Sequence, residues 1–141
     1  MLAPKKTKYR KWQTGRKHPS RLLRPDTRGI TVAFGSYGLK VMTPARITSN
    51  QIESARRALS RAGGKTAKVW VRIFPDRPVT HKPAEVRMGS GKGDLFGYVM
   101  EVRPGRVLFE IDGATDAIAR EALRKAGKKL PVKVRIVARG A

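Results

Sequence analysis

The sequence has no cysteine and only two histidines, and both shortages exclude whole classes of site. Without cysteine, the chain cannot carry a disulfide framework, a thiolate zinc site or a cysteine nucleophile. His18 and His81 lie far apart, with no second histidine at helical spacing from either. We therefore expect no metal site and no cofactor.

Long apolar runs and acidic residues are also scarce. No apolar stretch approaches the roughly 18 residues that would span a bilayer. Residues 1–11 are basic but lack the apolar core of a secretory signal, which favours a cytoplasmic protein. The ten acids are scattered, whereas metal-dependent nucleases cluster their carboxylates. Gly91-Lys92 is followed by Gly93, which breaks the P-loop pattern, so no catalytic residue is predicted.

Positive charge, in contrast, is abundant. The chain has 32 Lys and Arg against 10 Asp and Glu, a net charge of +22 over 141 residues. Like charge at this density opposes a compact state unless a polyanion neutralises it. Nucleic acid is therefore the favoured partner. An anionic membrane surface is disfavoured, because both predicted helices have small, Ala-rich apolar faces.

Residues 1–29 predict a basic arm. They hold ten cations and one acid, a net charge of +9, together with several Pro and Gly breakers. Aromatic rings among cations suit base stacking combined with phosphate neutralisation, so we favour an arm ordered on RNA over a disordered tail. The candidate RNA-binding residues here are Lys5, Lys6, Lys8, Tyr9, Arg10, Lys11, Trp12 and Arg16.

Residues 30–141 predict a single α+β domain, whose first half reads as a hairpin, a helix and a strand. The hairpin would pair residues 30–34 with 39–42 across a glycine-bracketed turn. Thr48 would cap the helix, with Gln51 completing a capping box. Residues 68–74 alternate as a strand, in which we expect Trp70 in the core, with an RNA contact as the alternative. The outer helix surface carries three further candidates for RNA binding: Arg56, Arg57 and Arg61.

The second half repeats this order. Residues 98–102 and 107–111 would pair around Pro104-Gly105, with Glu110 on the polar face. A helix would follow Thr115, and residues 132–136 would form the closing strand. The expected apolar stripe of that helix is Ile118, Ala119, Ala122, Leu123 and Ala126. The sequence thus predicts two helices packed on one face of a mostly antiparallel sheet, built from two successive hairpin-helix-strand units.

The connector at residues 75–95 is a Pro/Gly-rich basic loop inserted in this domain. Its glycines allow close approach of the backbone to a phosphate or sugar, while Arg87 and Lys92 supply charge. Composition alone does not separate a loop that inserts into folded RNA from an ordinary flexible loop.

Several stretches together resemble the bacterial-type large-subunit ribosomal protein L-sixteen family (universal uL-sixteen). They are residues 32–40, 51–57, 72–76 and 82–93, followed by 104–107, 119–122 and 129–131. Their order and spacing extend the resemblance over nearly the whole chain.

The resemblance implies a structural component of the large ribosomal subunit that acts in translation. Such a protein binds large-subunit rRNA beside the aminoacyl-tRNA site and points its loop at tRNA. The tRNA-proximal residues it implies are Lys82, Arg87, Met88, Gly89, Gly91, Lys92 and Gly93. Ser90 stands where many members have Lys, which removes one cation from the loop.

The partners implied are large-subunit rRNA, tRNA and neighbouring ribosomal proteins, with no membrane and no DNA. The location implied is cytoplasmic, in a large ribosomal subunit of bacterial or bacterial-type organellar origin. The rival interpretation is a free-standing RNA chaperone or a tRNA-acting enzyme.

Overall fold

The computed structural model describes residues 2–13 and 22–140, which fold into antiparallel sheets and helices. In chain order the elements are β1 (Tyr37–Val41), β2 (Ala45–Thr48), α1 (Ser49–Gly63), β3 (Lys68–Val71), β4 (Arg77–His81), β5 (Asp94–Val102), β6 (Val107–Asp112), α2 (Asp116–Gly127) and β7 (Val134–Ala138). One sheet has four strands in the order β3-β6-β1-β7, and the other has three in the order β2-β5-β4. The predicted α+β class is confirmed.

The helices pack against each other and against the four-stranded sheet. Helix α1 begins at the predicted capping box, in which the Gln51 N–H donates to Thr48 Oγ1 (3.3 Å) and the Thr48 N–H donates to Gln51 Oε1 (3.0 Å). The predicted apolar stripe of α2 is buried except for Ile118, which is 45% exposed. Ile118 lies roughly 90° around the helix from the centre of that stripe, at its edge.

The two predicted hairpins do not form, because the strands have other partners. Strand β1 pairs with β6 and β7, while β5 and β6 lie in different sheets. Leu39 lies opposite Phe109, and Ile47 lies opposite Met100. The apolar alternation correctly identified the buried side of these strands, but alternation does not specify which strand pairs with which.

Residues 30–34 are not a strand, and Glu110 is not on the polar surface. The segment crosses the outer face of the four-stranded sheet, and its backbone N–H groups donate to the Glu110 carboxylate. A Cβ on Gly38 would lie 2.8 Å from Val32 Cγ2, so the segment packs where a side chain is missing. Glu110 is consequently fully buried.

The connector is partly structured, which shortens the predicted loop. Strand β4 lies within it and pairs with β5, leaving residues 82–93 as the loop between them. Pro78 is tolerated because β4 is an edge strand, where a missing N–H breaks no inner ladder. The division into an arm at 1–29 and a domain at 30–141 stays a prediction.

Candidate nucleic-acid interface

The first part of the arm, residues 2–13, is attached to the domain at both ends. The Leu2 N–H donates to Ser49 Oγ (3.0 Å) at the start of α1, and the Leu2 side chain packs on the core. At the other end, Lys92 Nζ donates to the Trp12 carbonyl, and the Arg77 guanidinium carbon lies 5.7 Å from the centre of the Trp12 ring. The arm therefore links α1 to the loop.

Between these attachments, the arm exposes its cations and rings. Lys5, Lys6, Lys8 and Arg10 are exposed, and Lys11 is half-buried. Tyr9 is 64% exposed, with Lys8 Nζ 5.6 Å from its ring centre, and Trp12 is 41% exposed. Cations and open ring faces are what RNA contacts require. Arg16, the remaining candidate of the arm, lies outside the described residues.

The surface of α1 forms an open groove of ≈ 710 Å³ with Leu2 of the arm and with Lys129, which lies just beyond the end of α2. Leu2, Arg57, Arg61 and Lys129 line it. Glu53 pairs with Arg57 (3.1 Å between Oε1 and Nε). Arg61 is exposed, and no ion pair holds it among residues 2–13 and 22–140.

Glu53 also pairs with a second arginine, Arg56, and so offsets part of the positive charge of this surface. The Arg56 Nε donates to Glu53 Oε2 at 3.0 Å. Hydrogen bonding from Arg56, reinforced by Arg57, lowers the pKa of Glu53 to about 2. Of the three predicted arginines, Arg61 is thus the one whose charge is least offset by a neighbouring acid within the described chain.

The loop at residues 82–93 projects from the three-stranded sheet and is exposed from Pro83 to Lys92. Gly89, Ser90 and Gly91 adopt positive φ angles of 100°, 59° and 110° in succession. Glycine reaches this region without strain, whereas Ser90 carries a Cβ there. Lys82 Nζ donates to the Gly89 carbonyl and braces this turn from the base of the loop.

The side chains before the turn face solvent. Met88 is 92% exposed, and Arg87 has no hydrogen bond or ion pair within the described residues. At the loop's far end, a Cβ on Gly93 would lie 2.8 Å from the backbone carbon and oxygen of His81. Gly93 therefore lets the loop close tightly. The loop combines a fixed base with a solvent-exposed cationic tip.

Arg77 is a residue of this region that sequence reasoning missed. Its side chain is only 9% exposed, its Nε lies 3.3 Å from Glu101 Oε1, and its Nη2 is buried without a hydrogen bond in the described chain. Its ring partner, Trp12, is distant in sequence. A single arginine after a proline-rich turn gives no sequence signal for such burial.

A second missed feature is a cluster of Phe34, Trp70 and Arg72 above Glu110. Trp70 is not in the core as expected: it is half-buried on the outer face of the sheet, with its ring centre 6.3 Å from that of Phe34. The sequence does contain one indication that this outer face is covered, namely Leu108. It shares a face with Glu110, and the run at residues 107–111 is apolar except for Glu110, a pattern typical of a strand buried on both faces.

Two further features, a cluster of metal ligands and a membrane-spanning helix, are absent from the described part of the chain. There, no three His, Asp or Glu side chains come together as a metal site would require. No helix within residues 2–13 and 22–140 has the length and apolar character needed to cross a bilayer.

The sequence matches known proteins along nearly its whole length. The profile of the family described as Ribosomal protein L16p/L10e matches residues 4–137. The chain is 57% identical over 139 residues to the large ribosomal subunit protein uL16 of Afipia carboxidovorans, covering 99% of this chain and 98% of that protein. Proteins of the same name from Rhodopseudomonas palustris (strain BisB5) and Nitrobacter winogradskyi are 57% and 56% identical, with the same coverage. The chain is therefore a member of the ribosomal protein L16p/L10e family.

Proposed function

We propose that the chain is a structural component of the large ribosomal subunit that binds large-subunit rRNA and reaches tRNA with its loop. Membership of a family of ribosomal structural proteins supports the first part and makes the chain a non-enzyme. The expected location is then the cytoplasm, in the large subunit, with neighbouring ribosomal proteins in contact.

The observation that carries the rRNA assignment is the arm at residues 2–13. A basic segment repels the rest of a chain with a net charge of +22, yet this one is attached at both ends and leaves its cations exposed between them. Such an arrangement suits a polyanion that lies over the arm and the α1 groove. Lysine and arginine would neutralise its phosphates, and Tyr9 and Trp12 would stack on bases.

The tRNA assignment depends on the loop. Its tip presents Arg87 and Met88 beyond the body of the domain, while Lys82 and Gly93 fix its base. Arg87, which has no ion pair within the described residues, offers a planar fork for phosphate. A loop that contacted only its own domain would not need to expose Met88 and Arg87 to solvent.

The rRNA assignment is tested by the salt dependence of binding to deproteinised large-subunit rRNA. Changing the five cations Lys5, Lys6, Lys8, Arg10 and Lys11 to Gln should flatten the plot of log affinity against log salt. Each lost phosphate contact lowers the slope by roughly 0.9 on duplex RNA, if it behaves like duplex DNA, and by about 0.7 on single strands. Leu2 is kept so that the arm stays attached.

A control variant separates contact from bulk charge. It replaces five exposed cations outside the arm, the α1 groove and the loop: Lys65, Arg103, Arg120, Lys133 and Arg135. Both variants lose the same net charge, so an equal loss of slope in the two would contradict a specific role for the arm.

Sedimentation of cell extracts addresses the rival function. The native chain should co-migrate with large subunits, whereas a predominantly free pool would favour an RNA chaperone.

A further inference from the structure

We propose that the outer face of the four-stranded sheet carries a stacking site for one unpaired RNA base, formed by Phe34, Trp70 and Arg72. The site is separate from the arm, the α1 groove and the loop. The inference rests on the proposed rRNA binding and adds to it a surface that contributes through ring stacking and not through phosphate contacts.

The sheet places the three side chains together. Trp70 on β3 lies opposite Glu110 on β6, which in turn lies opposite Gly38 on β1. Because Gly38 has no side chain, the segment before β1 can cross the sheet there and bring Phe34 over Trp70. The two rings are nearly parallel, at 21°, with centres 6.3 Å apart. The Arg72 guanidinium carbon lies 5.1 Å from the Phe34 ring centre.

A buried charge network fixes the backbone at Phe34. The fully buried Glu110 carboxylate accepts hydrogen bonds from the N–H groups of Ala33 (3.0 Å), Phe34 (2.6 Å) and Gly35 (2.8 Å). It also accepts one from Arg72 Nη1 (2.5 Å), which donates to the Thr31 carbonyl as well (3.0 Å). Burying a carboxylate is unfavourable unless such partners satisfy it.

The side chain held by this network is not itself buried. Phe34 remains 55% exposed, so the network orders the backbone while leaving the aromatic ring in water. A ring held in place before binding loses little conformational freedom when a ligand stacks on it. An ordered, solvent-facing aromatic pair beside a guanidinium is the arrangement that proteins use to stack unpaired bases.

The charges around the cluster favour a base over a phosphate, and RNA over a protein. Glu110 already compensates Arg72, so the cluster offers ring faces more than free charge. Its rim carries Lys68 and Arg139, whose fields lower the pKa of Asp112 after the larger effect of the Ser36 hydroxyl. On a chain with a net charge of +22, those rim cations allow an RNA strand to pass while one base stacks.

The test compares Phe34→Leu with Phe34→Tyr in binding to deproteinised large-subunit rRNA, with heparin as competitor. Leu keeps apolar bulk without a π face, whereas Tyr keeps the face. We expect Leu to weaken binding by about 5- to 150-fold and Tyr to bind like the unchanged chain. The salt slope should be the same for all three, because no phosphate contact is lost. Equal unfolding midpoints for the variants would show that Leu acts on binding.

A spectroscopic measurement places the base directly. In a Trp12→Phe background, Trp70 is the only tryptophan, since the chain has two. Its fluorescence should be quenched on rRNA binding, and Phe34→Leu should reduce that quenching. Unchanged Trp70 emission on a bound complex would overturn the proposal.

The remaining outcomes are also decisive. If the unchanged chain binds rRNA and Phe34→Leu binds it equally well, the stacking site is wrong while the proposed function stands. If Phe34→Leu binds rRNA normally but enters large subunits poorly, the surface contacts a protein and the RNA assignment fails. If the unchanged chain does not bind rRNA at all, the proposed function itself fails.

Discussion

The half of the molecule built on the four-stranded sheet and the half built on the three-stranded sheet differ in how much of their apolar surface they bury. Most of the hydrophobic core lies in the first half, with the two helices over the sheet. Its buried residues include Leu39, Val41, Ile52, Ala55, Leu59, Phe109, Ile111, Ala119, Ala122, Leu123 and Ala126. The second half contributes Ile47 and Val102 to the core and then extends into the exposed loop.

This difference shows how a strongly basic chain can fold and still present charge. Apolar burial in the first half supplies stability, whereas the loop and the arm bury little and expose cations. Glu110 and its hydrogen-bond donors belong to the four-stranded half, whereas Trp12 attaches the arm to Arg77 of the three-stranded half. Substitutions at these places and in each half separate stability from binding.

Glu110→Ala should have the largest effect on stability. The change removes the carboxylate that accepts from Arg72 and from the buried or partly buried N–H groups of residues 33–35. Removing one partner of a buried ion pair typically costs about 3–5 kcal/mol in the free energy of unfolding. Urea denaturation measures it. Glu121→Ala is the matched control, since Glu121 is exposed, and it should change stability by less than about 1 kcal/mol. Equal losses would contradict the role of Glu110.

Leu39→Ala should come next and should sharpen the contrast between the halves. Leu39 is fully buried, and such truncations cost about 2–5 kcal/mol through lost burial and the cavity left behind. Met88→Ala in the loop should stay within about 0.5 kcal/mol, because Met88 is 92% exposed. A destabilisation by Met88→Ala comparable to that of Leu39→Ala, measured by thermal unfolding, would show that the loop belongs to the packed unit.

Acid should destabilise the chain through Glu110. Burial raises the pKa of Glu110, but the backbone N–H donors and Arg72 together outweigh it and hold the pKa below its usual 4.5. A lowered folded pKa gives stability that is fully present above the unfolded value and is lost as pH falls through the folded value. Urea midpoints should therefore fall below about pH 4.5, and Glu110→Gln should flatten that part of the curve. An identical acid response in Glu110→Gln would assign the effect to other carboxylates.

Trp12→Ala should have a small effect on stability and a measurable one on the loop. It removes the ring next to Arg77, a cation–π contact of about 0.5–1 kcal/mol. Trypsin cleavage within residues 82–93 should accelerate by about 2- to 5-fold, since the arm would hold Lys92 less tightly. Tyr9→Ala is the control, because Tyr9 has no such contact with the loop. Equal cleavage rates in the two variants would mean that the arm does not position the loop.

Local sequence signals predicted the elements of the fold well. The capping box at Thr48, the apolar stripe of α2 apart from Ile118, and the α+β class are confirmed, because each depends on short-range patterns. Strand partners were wrong, since alternation marks a buried face without naming the neighbour. Residues 30–34 look like a strand by composition, but the N–H groups of Ala33 and Phe34 donate to Glu110, which lies 77 and 76 residues later in the chain. No local pattern predicts that contact.

For the same reason, the sequence predicted the residues of the candidate interface but not the contacts that position them. Basic and aromatic residues in the arm and glycines in the loop are visible in the sequence, and the structure leaves them exposed. The contact between Trp12 and Lys92 and the burial of Arg77 depend on chain segments that meet only in the fold. The stacked pair of Phe34 and Trp70 likewise needs the crossing at Gly38, which a linear pattern does not reveal.

The division of labour between the two halves is tested most directly by comparing Arg87→Ala with Arg57→Ala in ribosomes. Both arginines are exposed, one on the loop and the other on the α1 groove, so each variant loses one charge without disturbing the core. The measurement is aminoacyl-tRNA affinity alongside the fraction of the variant incorporated into large subunits. We predict that Arg87→Ala lowers tRNA affinity with normal incorporation, while Arg57→Ala lowers incorporation and leaves tRNA affinity unchanged in the subunits that form. The reverse pattern would make the loop an rRNA anchor and contradict the account.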